Sequence, residues 1–234
     1  MEEKEKNQEN YLYFSSSDLI SYFYNNLSEK DFKTQLKRIM EMARVYIAKK
    51  EFTLEDIYSV LVFVKDIKKR EIVDEVFKLY FKKGHFPVRV IAQIEDVEET
   101  SDVEIEFSAC SSDKKFINIS QNEGEPYSQG VIVEEYFYSS GFGLQDVHLS
   151  NGEEFENRVT ESIEQLKILL NSAGTDFSKI YSVMVYLKNM DRVSELEEVI
   201  NQYFPNEESP LRQVMEVKQL YCDREFEIAC SAFM

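Results

Sequence analysis

The sequence predicts an α+β fold that is built twice in one chain. Three observations lead to this prediction: a long internal repeat, apolar patterns that change between helix-like and strand-like spacing, and a length of 234 residues. That length is enough for two domains of ordinary size, each with its own core. We expect each copy to be a mixed β-sheet with two helices packed on one face.

The internal repeat has an offset of 123 residues. IYSVLVFVKD at 57–66 matches IYSVMVYLKN at 180–189, and YFSSSD at 13–18 matches YFYSSG at 136–141. Towards the end we interpret the offset as slipping to 121, which aligns EIEFSAC with EFEIACS. A period this long indicates two copies of a whole domain, because solenoid repeats run at about 20–50 residues. We therefore expect a first module over residues 1–123 and a second over 124–234.

The second copy begins with a predicted hairpin and an amphipathic helix. SQGVIVEEYFYSSG favours two strands with a turn at Glu134–Glu135. Apolar residues then recur at three- and four-residue steps from Phe155 to Leu170, and Gly174 follows where a helix commonly ends. The next segment, IYSVMVYL, is short and rich in β-branched residues, as a strand covered by helices would be.

A second helix and two strands complete the predicted copy. The helix is expected to begin near Asp191 as its N-cap and to end before Pro205. The strands are expected at 211–218 and 225–233. The order hairpin, helix, strand, helix, strand, strand fits an α+β sandwich.

Charge and apolar patterning limit the possible partners. The formal net charge of −17 would repel a phosphate backbone, so we expect no nucleic-acid partner. The N-terminus MEEKEKNQEN has no signal-peptide pattern, and no apolar run approaches membrane-spanning length. We expect a cytoplasmic protein without a membrane partner.

Cysteine, histidine and glycine content argue against a metal or an organic cofactor. Cys110, Cys222 and Cys230 are too few for a disulfide framework, and with His85 and His148 they have no zinc-ligand spacing. Cys110 and Cys230 end apolar strands and are predicted to be buried, while both histidines are predicted to lie at the surface. Seven glycines include no Gly-rich phosphate-binding motif.

An arginine pattern occurs once in each copy. FPVRVIAQ at 86–93 and SPLRQVMEV at 209–217 both contain proline, one apolar residue and arginine, followed by a strand-like run. Because side chains alternate along a strand, Arg89 lies on the face opposite Val88 and Val90. A charged residue at this place in both copies calls for a partner or a ligand.

These patterns resemble the Rid family, the YjgF-like reactive-intermediate deaminases once catalogued as L-PSP ribonucleases. The second copy carries the resemblance through GEPYSQG (124–130), YSSG (138–141), VYLKN (185–189), SPLRQV and FEIACSAF. The first copy has FPVR and EIEFSA, but MEEKEKN stands in register with GEPYSQG. Tandem copies of this kind also resemble the C-terminal part of eukaryotic diphthamide-forming ammonia ligases. Their preceding ATP-binding domain is not in this sequence, which leaves open whether a larger ligase system is involved.

The resemblance implies a fold, an assembly and a site. It implies chorismate-mutase-like modules that form trimers, with a pocket in each cleft between modules. The arginines would clamp the carboxylate of a small imino acid, and a glutamate of the last strand would position the attacking water. Carried onto this sequence, the catalytic residues are Arg89, Arg212, Glu106 and Glu227, and the substrate-binding residues are Tyr127, Ser140 and Gly141. Phe142 departs from the glutamine-like residue that often follows the glycine.

Two hypotheses for the function follow, and neither needs a cofactor. The first is hydrolytic deamination of enamine or imine intermediates to 2-oxo acids and ammonia, as by a 2-iminobutanoate/2-iminopropanoate deaminase. The second is a non-catalytic module that binds a small carboxylate, or the assembly half of a diphthine–ammonia ligase system. A ribonuclease is a distant third, because the net charge is wrong for RNA.

The arginines also have a purely structural interpretation. Arg89 and Glu106 lie on strands that are expected to pair, so the two side chains could simply neutralise each other. A duplicated structural pair would recur in both copies, just as a duplicated site would.

The two arginines are expected to be unequal. Because Lys4 stands in register with Tyr127, a homo-trimer in which like modules meet would give Arg212 the tyrosine of a neighbouring chain. Arg89 would then face only the divergent N-terminal segment. On this arrangement Arg212→Ala and Tyr127→Ala would impair ligand binding severely and Arg89→Ala much less.

Overall fold

The predicted order of helix, strand, helix, strand, strand is present in both copies, and the hairpin that precedes it is described in the second copy. The computed structural model describes residues 10–23, 31–95, 97, 101–119, 124–143, 155–204 and 210–234. Lys4 and His148 lie outside these ranges. The helices are α1 (Ser16–Phe23), α2 (Phe32–Ala48), α3 (Arg70–Tyr80), α4 (Phe155–Ala173) and α5 (Val193–Tyr203). The strands are β1 (Tyr11–Ser15), β2 (Ile57–Val64), β3 (Val88–Gln93), β4 (Val103–Cys110), β5 (Lys114–Ile117), β6 (Gly130–Val133), β7 (Tyr136–Ser139), β8 (Ile180–Leu187), β9 (Leu211–Glu216), β10 (Gln219–Leu220) and β11 (Phe226–Phe233).

The two sheets share a common arrangement of four strands. The first sheet has the order β1-β4-β2-β3-β10 and the second the order β5-β6-β7-β11-β8-β9. In each sheet one pair is parallel, β2 with β3 and β8 with β9, and its other named pairs are antiparallel. These are the mixed sheets that the sequence predicts. Strand β5 precedes residue 124 in the chain and pairs with β6 in the second sheet.

Each sheet has one face covered by its own helices. In the first copy, alternate residues Val60, Val62 and Val64 of β2 pack with the apolar sides of α2 and α3. In the second copy, Val183 and Val185 of β8 pack in the same way with α4 and α5. The apolar residues at every second strand position therefore pack against those at three- to four-residue steps of the helices, and each copy has one such core.

The opposite faces of the two sheets pack against each other. Phe63, Val90 and Ala92 of the first copy form one apolar cluster with Tyr186 and Leu220 of the second. This arrangement explains why the strand sequences are apolar on both faces, because each sheet is covered by helices on one side and by the other copy on the other.

The edge of β3 is bound by the backbone of the second copy. Strand β10 pairs antiparallel with β3, opposing Gln93 and Ala92, and Ser128 forms a bridge with Val88. The equivalent strand of the second copy, β9, is the last strand of its sheet within the described residues, and Leu211 on it is 64% exposed. The duplicated edges therefore have different surroundings.

Two local features differ from the prediction. Residues 16–23 form helix α1, whereas residues 139–143, the described part of the equivalent stretch of the second copy, contain no helix. Asp191 is not the N-cap of α5: a short 3₁₀ turn precedes the helix, and the Asn189 side chain accepts the hydrogen bond from Asp191 N at 2.9 Å. Asparagine and aspartate compete for the same capping role, and here the earlier residue takes it.

The predictions for α4, the hairpin and the cysteines are confirmed. Helix α4 ends just before Gly174, which has φ of +92°, and Glu134 turns the β6–β7 hairpin at φ of +53°. Cys110 and Cys230 are buried, and burial raises the pKa of the Cys230 thiol to about 12. No helix among the described residues is long and apolar enough to cross a membrane.

Candidate functional site

Arg89 lies in the cleft between the two copies. Its guanidinium donates to Asp74 of α3 at 2.7 Å and is 5.2 Å from the centre of the Tyr127 ring of the second copy. The residue is 5% exposed, and burial lowers the pKa of its guanidinium while the Asp74 carboxylate opposes that shift. Its Nη1 atom is buried and has no hydrogen-bond partner among the described residues. A buried charged donor without a partner is costly, so this atom is suited to receive a ligand anion.

Ser140 and Gly141 join the backbone of Arg89 to the second copy. The Ser140 hydroxyl donates to the Ser128 carbonyl at 2.6 Å and accepts from the Arg89 amide at 2.8 Å. The Gly141 amide donates to the Arg89 carbonyl at 3.4 Å. These bonds fix the position of the arginine relative to Tyr127, whose pKa is raised by burial so that the phenol stays neutral.

Glu227 is buried beside the same loop. It is 4% exposed, and its Oε1 accepts from the Arg224 guanidinium at 2.7 Å. A Cβ at position 141 would collide with Oε2 of Glu227, so Gly141 is what allows the carboxylate to lie here. The arrangement brings together a guanidinium, a neutral phenol and a fixed carboxylate from residues far apart in sequence.

The Arg89–Asp74 ion pair is repeated in the second copy. Arg212 of β9 donates to Glu197 of α5 and, at 2.7 Å, to the Asn201 side-chain oxygen. Each acid lies 123 residues from its counterpart, as each arginine does. The structural interpretation is therefore right in one respect, since each arginine has an acidic partner, but that partner comes from a helix.

The expected pairing of Arg89 with Glu106 is wrong. Strand β2 lies between β3 and β4, so the two residues are not on neighbouring strands. Glu106 is exposed, and its partial burial together with the nearby Glu104 carboxylate raises its pKa.

The correspondence of Glu106 with Glu227 is also wrong. In the sheets, Glu227 lies opposite Tyr186, and the residue opposite the equivalent Phe63 is Glu104. The 123-residue offset therefore continues through the last strand, and the inferred slip to 121 does not occur there. Glu104 accepts from Ser17 at 3.2 Å.

The expectation that Arg89 faces the divergent N-terminal segment is wrong as well. Arg89 already contacts Tyr127, Ser140 and Gly141 of its own chain. In the structure the two different copies of one chain face each other. Tyr127 therefore contacts Arg89 of its own chain, whereas the arrangement of like modules predicted a contact with Arg212 of a neighbouring chain. Arg212 is not brought into this cleft, whereas Glu106 lines a cavity between the two copies together with Arg89 and Tyr186.

Several residues of the cleft were not predicted. The charged side chains that surround Arg89 and Glu227 are those of Asp74, Arg70, Arg224 and Glu125. For Asp74 a signal was present, because an acidic residue recurs at the same offset as the arginine. Phe142 has its ring in the core of the second copy and its backbone bonded to Ile228, so its departure from the family pattern adds a packing residue. Within the described ranges, no three His, Cys, Asp or Glu residues are grouped so as to hold a metal ion.

Comparison with known proteins identifies the family. The model of the family described as Endoribonuclease L-PSP matches residues 7–111 and again residues 120–234. The chain therefore belongs to this family and contains it twice.

Individual relatives match a stretch of the chain about as long as one copy. A RutC family protein of Saccharolobus solfataricus is 34% identical over 109 residues, covering 46% of this chain and 86% of the relative. The human 2-iminobutanoate/2-iminopropanoate deaminase is 30% identical over 100 residues, covering 41% of this chain and 70% of its own.

Solved structures match in the same way. RidA from an Antarctic Psychrobacter is 23% identical, with a TM-score of 0.46 over 51% of this chain and 99% of its own. Yeast Mmf1 is 17% identical, with a TM-score of 0.45 over 52% and 98%.

Gly141 provides a test of the Glu227 position. We expect Gly141→Ala to displace the Glu227 carboxylate, because the added methyl group collides with its Oε2. The affinity for pyruvate, used as a small 2-oxo acid probe, should fall at least tenfold, a loss of about 1.4 kcal/mol. Isothermal titration of folded protein measures this. Unchanged pyruvate affinity would show that the space beside Gly141 is not part of the ligand site.

Proposed function

We propose that the cleft between the two copies hydrolyses small 2-imino acids to 2-oxo acids and ammonia. The observation that supports this most directly is the buried Nη1 of Arg89, which lacks a partner among the described residues. A guanidinium can present two parallel donors to a carboxylate, and Asp74 occupies only the other terminal nitrogen. The human relative's name, an imine deaminase, is consistent with this class of substrate.

The proposed reaction needs little beyond binding and a positioned water. Arg89 would hold the carboxylate of the imino acid, with the Tyr127 ring beside it. Glu227 would accept a proton from water as the oxygen adds to the carbon of the protonated imine. It would then return that proton to the nitrogen of the carbinolamine, which breaks its C–N bond and leaves as ammonium, giving the 2-oxo acid. Because a protonated imine is already electrophilic, orientation and proton transfer supply the required catalysis.

Arg224 suits Glu227 to this role. Its ion pair with Oε1 keeps a carboxylate in a largely buried place, where an unpaired charge would be costly. The collision with a Cβ at position 141 shows that the other oxygen, Oε2, is turned towards Gly141. A fixed carboxylate beside the cleft is able to orient water.

The competing hypothesis is a cleft that binds a carboxylate without catalysis. The repeated acidic partners of the arginines favour it, because Asp74 and Glu197 already neutralise the clamps. A role in a diphthine–ammonia ligase system would be one form of this hypothesis. Both hypotheses need Arg89, and only the enzyme needs Glu227.

The two arginines provide one test. We now expect Arg89→Ala to weaken pyruvate binding by tens- to thousands-fold, because loss of a desolvated charged contact typically costs about 2–5 kcal/mol. Arg212→Ala should have a much smaller effect, since Arg212 lies on the outer strand of its sheet. Titration of pyruvate into both variants measures the difference. A larger loss in Arg212→Ala, with both proteins folded, would place the working site at β9.

Glu227 provides the test of catalysis. Glu227→Gln should still bind pyruvate but lose at least a hundredfold in the release of pyruvate from 2-iminopropanoate generated in situ, because general-base catalysis contributes about 10²–10⁴-fold. Glu104→Gln, at the equivalent position of β4, is the matched control and should keep the wild-type rate. Wild-type protein that binds pyruvate yet releases none above the uncatalysed rate would favour the non-catalytic hypothesis.

We also propose that the chain is a homo-oligomer. Within the described part of the chain no strand pairs with the outer edge of β9, and Leu211 on it is exposed, whereas the equivalent edge of β3 is covered. An open edge of this kind supports association with another chain. Leu211→Lys should reduce the sedimentation coefficient of micromolar protein if this edge is the contact. A wild-type monomer under those conditions would contradict the proposal.

A further inference from the structure

Arg70, the first residue of α3, connects the two copies at the mouth of the cleft. It is 9% exposed, and its Nη2 donates to Glu125 of the second copy at 3.1 Å. Its guanidinium carbon lies 3.7 Å from the centre of the Tyr221 ring, also in the second copy. A planar guanidinium that stacks on one ring and pairs with one carboxylate has little freedom to move.

Both contacts of Arg70 bear on the position of Tyr127. Glu125 precedes Tyr127 by only two residues, so the Arg70–Glu125 bond anchors the segment that carries the ring against Arg89. Asp74 lies between the two arginines, with one oxygen 3.8 Å from Arg70 and the other bonded to Arg89 at 2.7 Å. The contact between the copies and the proposed carboxylate clamp therefore share a counter-ion.

The turn that supplies Tyr221 is held in an unfavourable backbone conformation. Cys222 and Asp223, which follow it, have φ of +55° and +56°. The Asp223 carboxylate accepts hydrogen bonds from the side chains of Lys188 at 2.5 Å and Gln219 at 2.9 Å. Consecutive positive φ values in non-glycine residues persist only where surrounding contacts impose them, so the turn is built to hold the ring in place.

We propose that Arg70 is a positioning residue that holds the Tyr127 segment of the second copy closed over Arg89. This inference rests on the proposed carboxylate site, which it deepens by stating what keeps that site assembled. The equivalent position in the second copy is Val193, so the interaction belongs to the first copy and its cleft. Arg70 acts through Glu125 and Tyr221, and the ligand does not touch it.

The experiment combines ligand titration with hydrogen–deuterium exchange. Arg70→Val, which installs the residue of the second copy, should weaken pyruvate binding about tenfold and speed exchange in the 124–130 peptide. Arg192→Val is the matched control, because Arg192 also stacks on a ring, 4.3 Å from Phe155, and pairs with Glu225. It should change neither measurement at the cleft.

A double-mutant cycle tests whether Arg70 acts through Glu125. Glu125→Gln should weaken pyruvate binding several-fold alone and add almost nothing in the Arg70→Val background, because the two changes break the same contact. Arg70→Lys should restore part of the affinity by keeping the charge. The single Glu125→Gln change at a half-exposed side chain keeps the test valid if Arg70→Val does not fold.

Three outcomes are decisive. Unchanged exchange and unchanged pyruvate affinity in Arg70→Val would overturn the positioning role. A loss of affinity for the dicarboxylate oxaloacetate with none for pyruvate would also overturn it, by showing direct contact between Arg70 and ligand. If wild-type protein bound no 2-oxo acid but Arg70→Val still exposed the 124–130 peptide, the positioning role would stand and the proposed function would fail.

Discussion

The covered edge of β3 is the constraint on which the candidate site depends. Arg89 lies on this strand, and its burial results from the second copy binding the strand through β10, Ser128 and Gly141. An edge strand exposes backbone amides and carbonyls that have no partner, and the backbone of the second copy forms hydrogen bonds with them. The same contact excludes water from the arginine side chain. The same backbone contact that joins the copies therefore creates the low-dielectric surroundings in which a guanidinium binds a carboxylate strongly.

Charges in the cleft come in pairs of opposite sign, and the Arg70–Glu125 pair crosses from one copy to the other. The first copy supplies Arg70, Asp74 and Arg89, and the second supplies Arg224 and Glu227, together with Glu125. Each buried ion has an opposite charge in contact, as is needed where desolvation is large. Arg89 and Glu227 are each paired within their own copy, so Arg70–Glu125 is the pair in this group that depends on how the two copies are placed.

The sequence was sufficient for the fold and for part of the site. The duplicated pattern predicted the two sheets, helix α4, the hairpin and the burial of Cys110 and Cys230, all of which depend on local periodicity. It did not predict which copy Tyr127 would face. The copy that Tyr127 contacts depends on how the two whole sheets pack, and no single sequence segment contains that information.

Two misassignments have local physical causes. The segment EIEF places Glu104 and Glu106 on the same face of β4, so the repeat can be matched at either of two offsets, and only strand register distinguishes them. The capping residue of the turn before α5 was misassigned because Asn189 and Asp191 are both good N-caps two positions apart. Helix α1 follows β1 directly, and its sequence SSDLISYF is too short for periodicity to identify.

Fusion of the two copies changes how the cleft responds to dilution. When complementary halves of a site lie on separate chains, the fraction assembled falls as the protein is diluted, because association is second order. Here Arg89 and Tyr127 belong to one polypeptide, so each half meets the other at an effective concentration fixed by the connecting chain, typically in the millimolar range for short linkers. The cleft at β3 can therefore form at any cellular abundance of the protein, without the association of two chains.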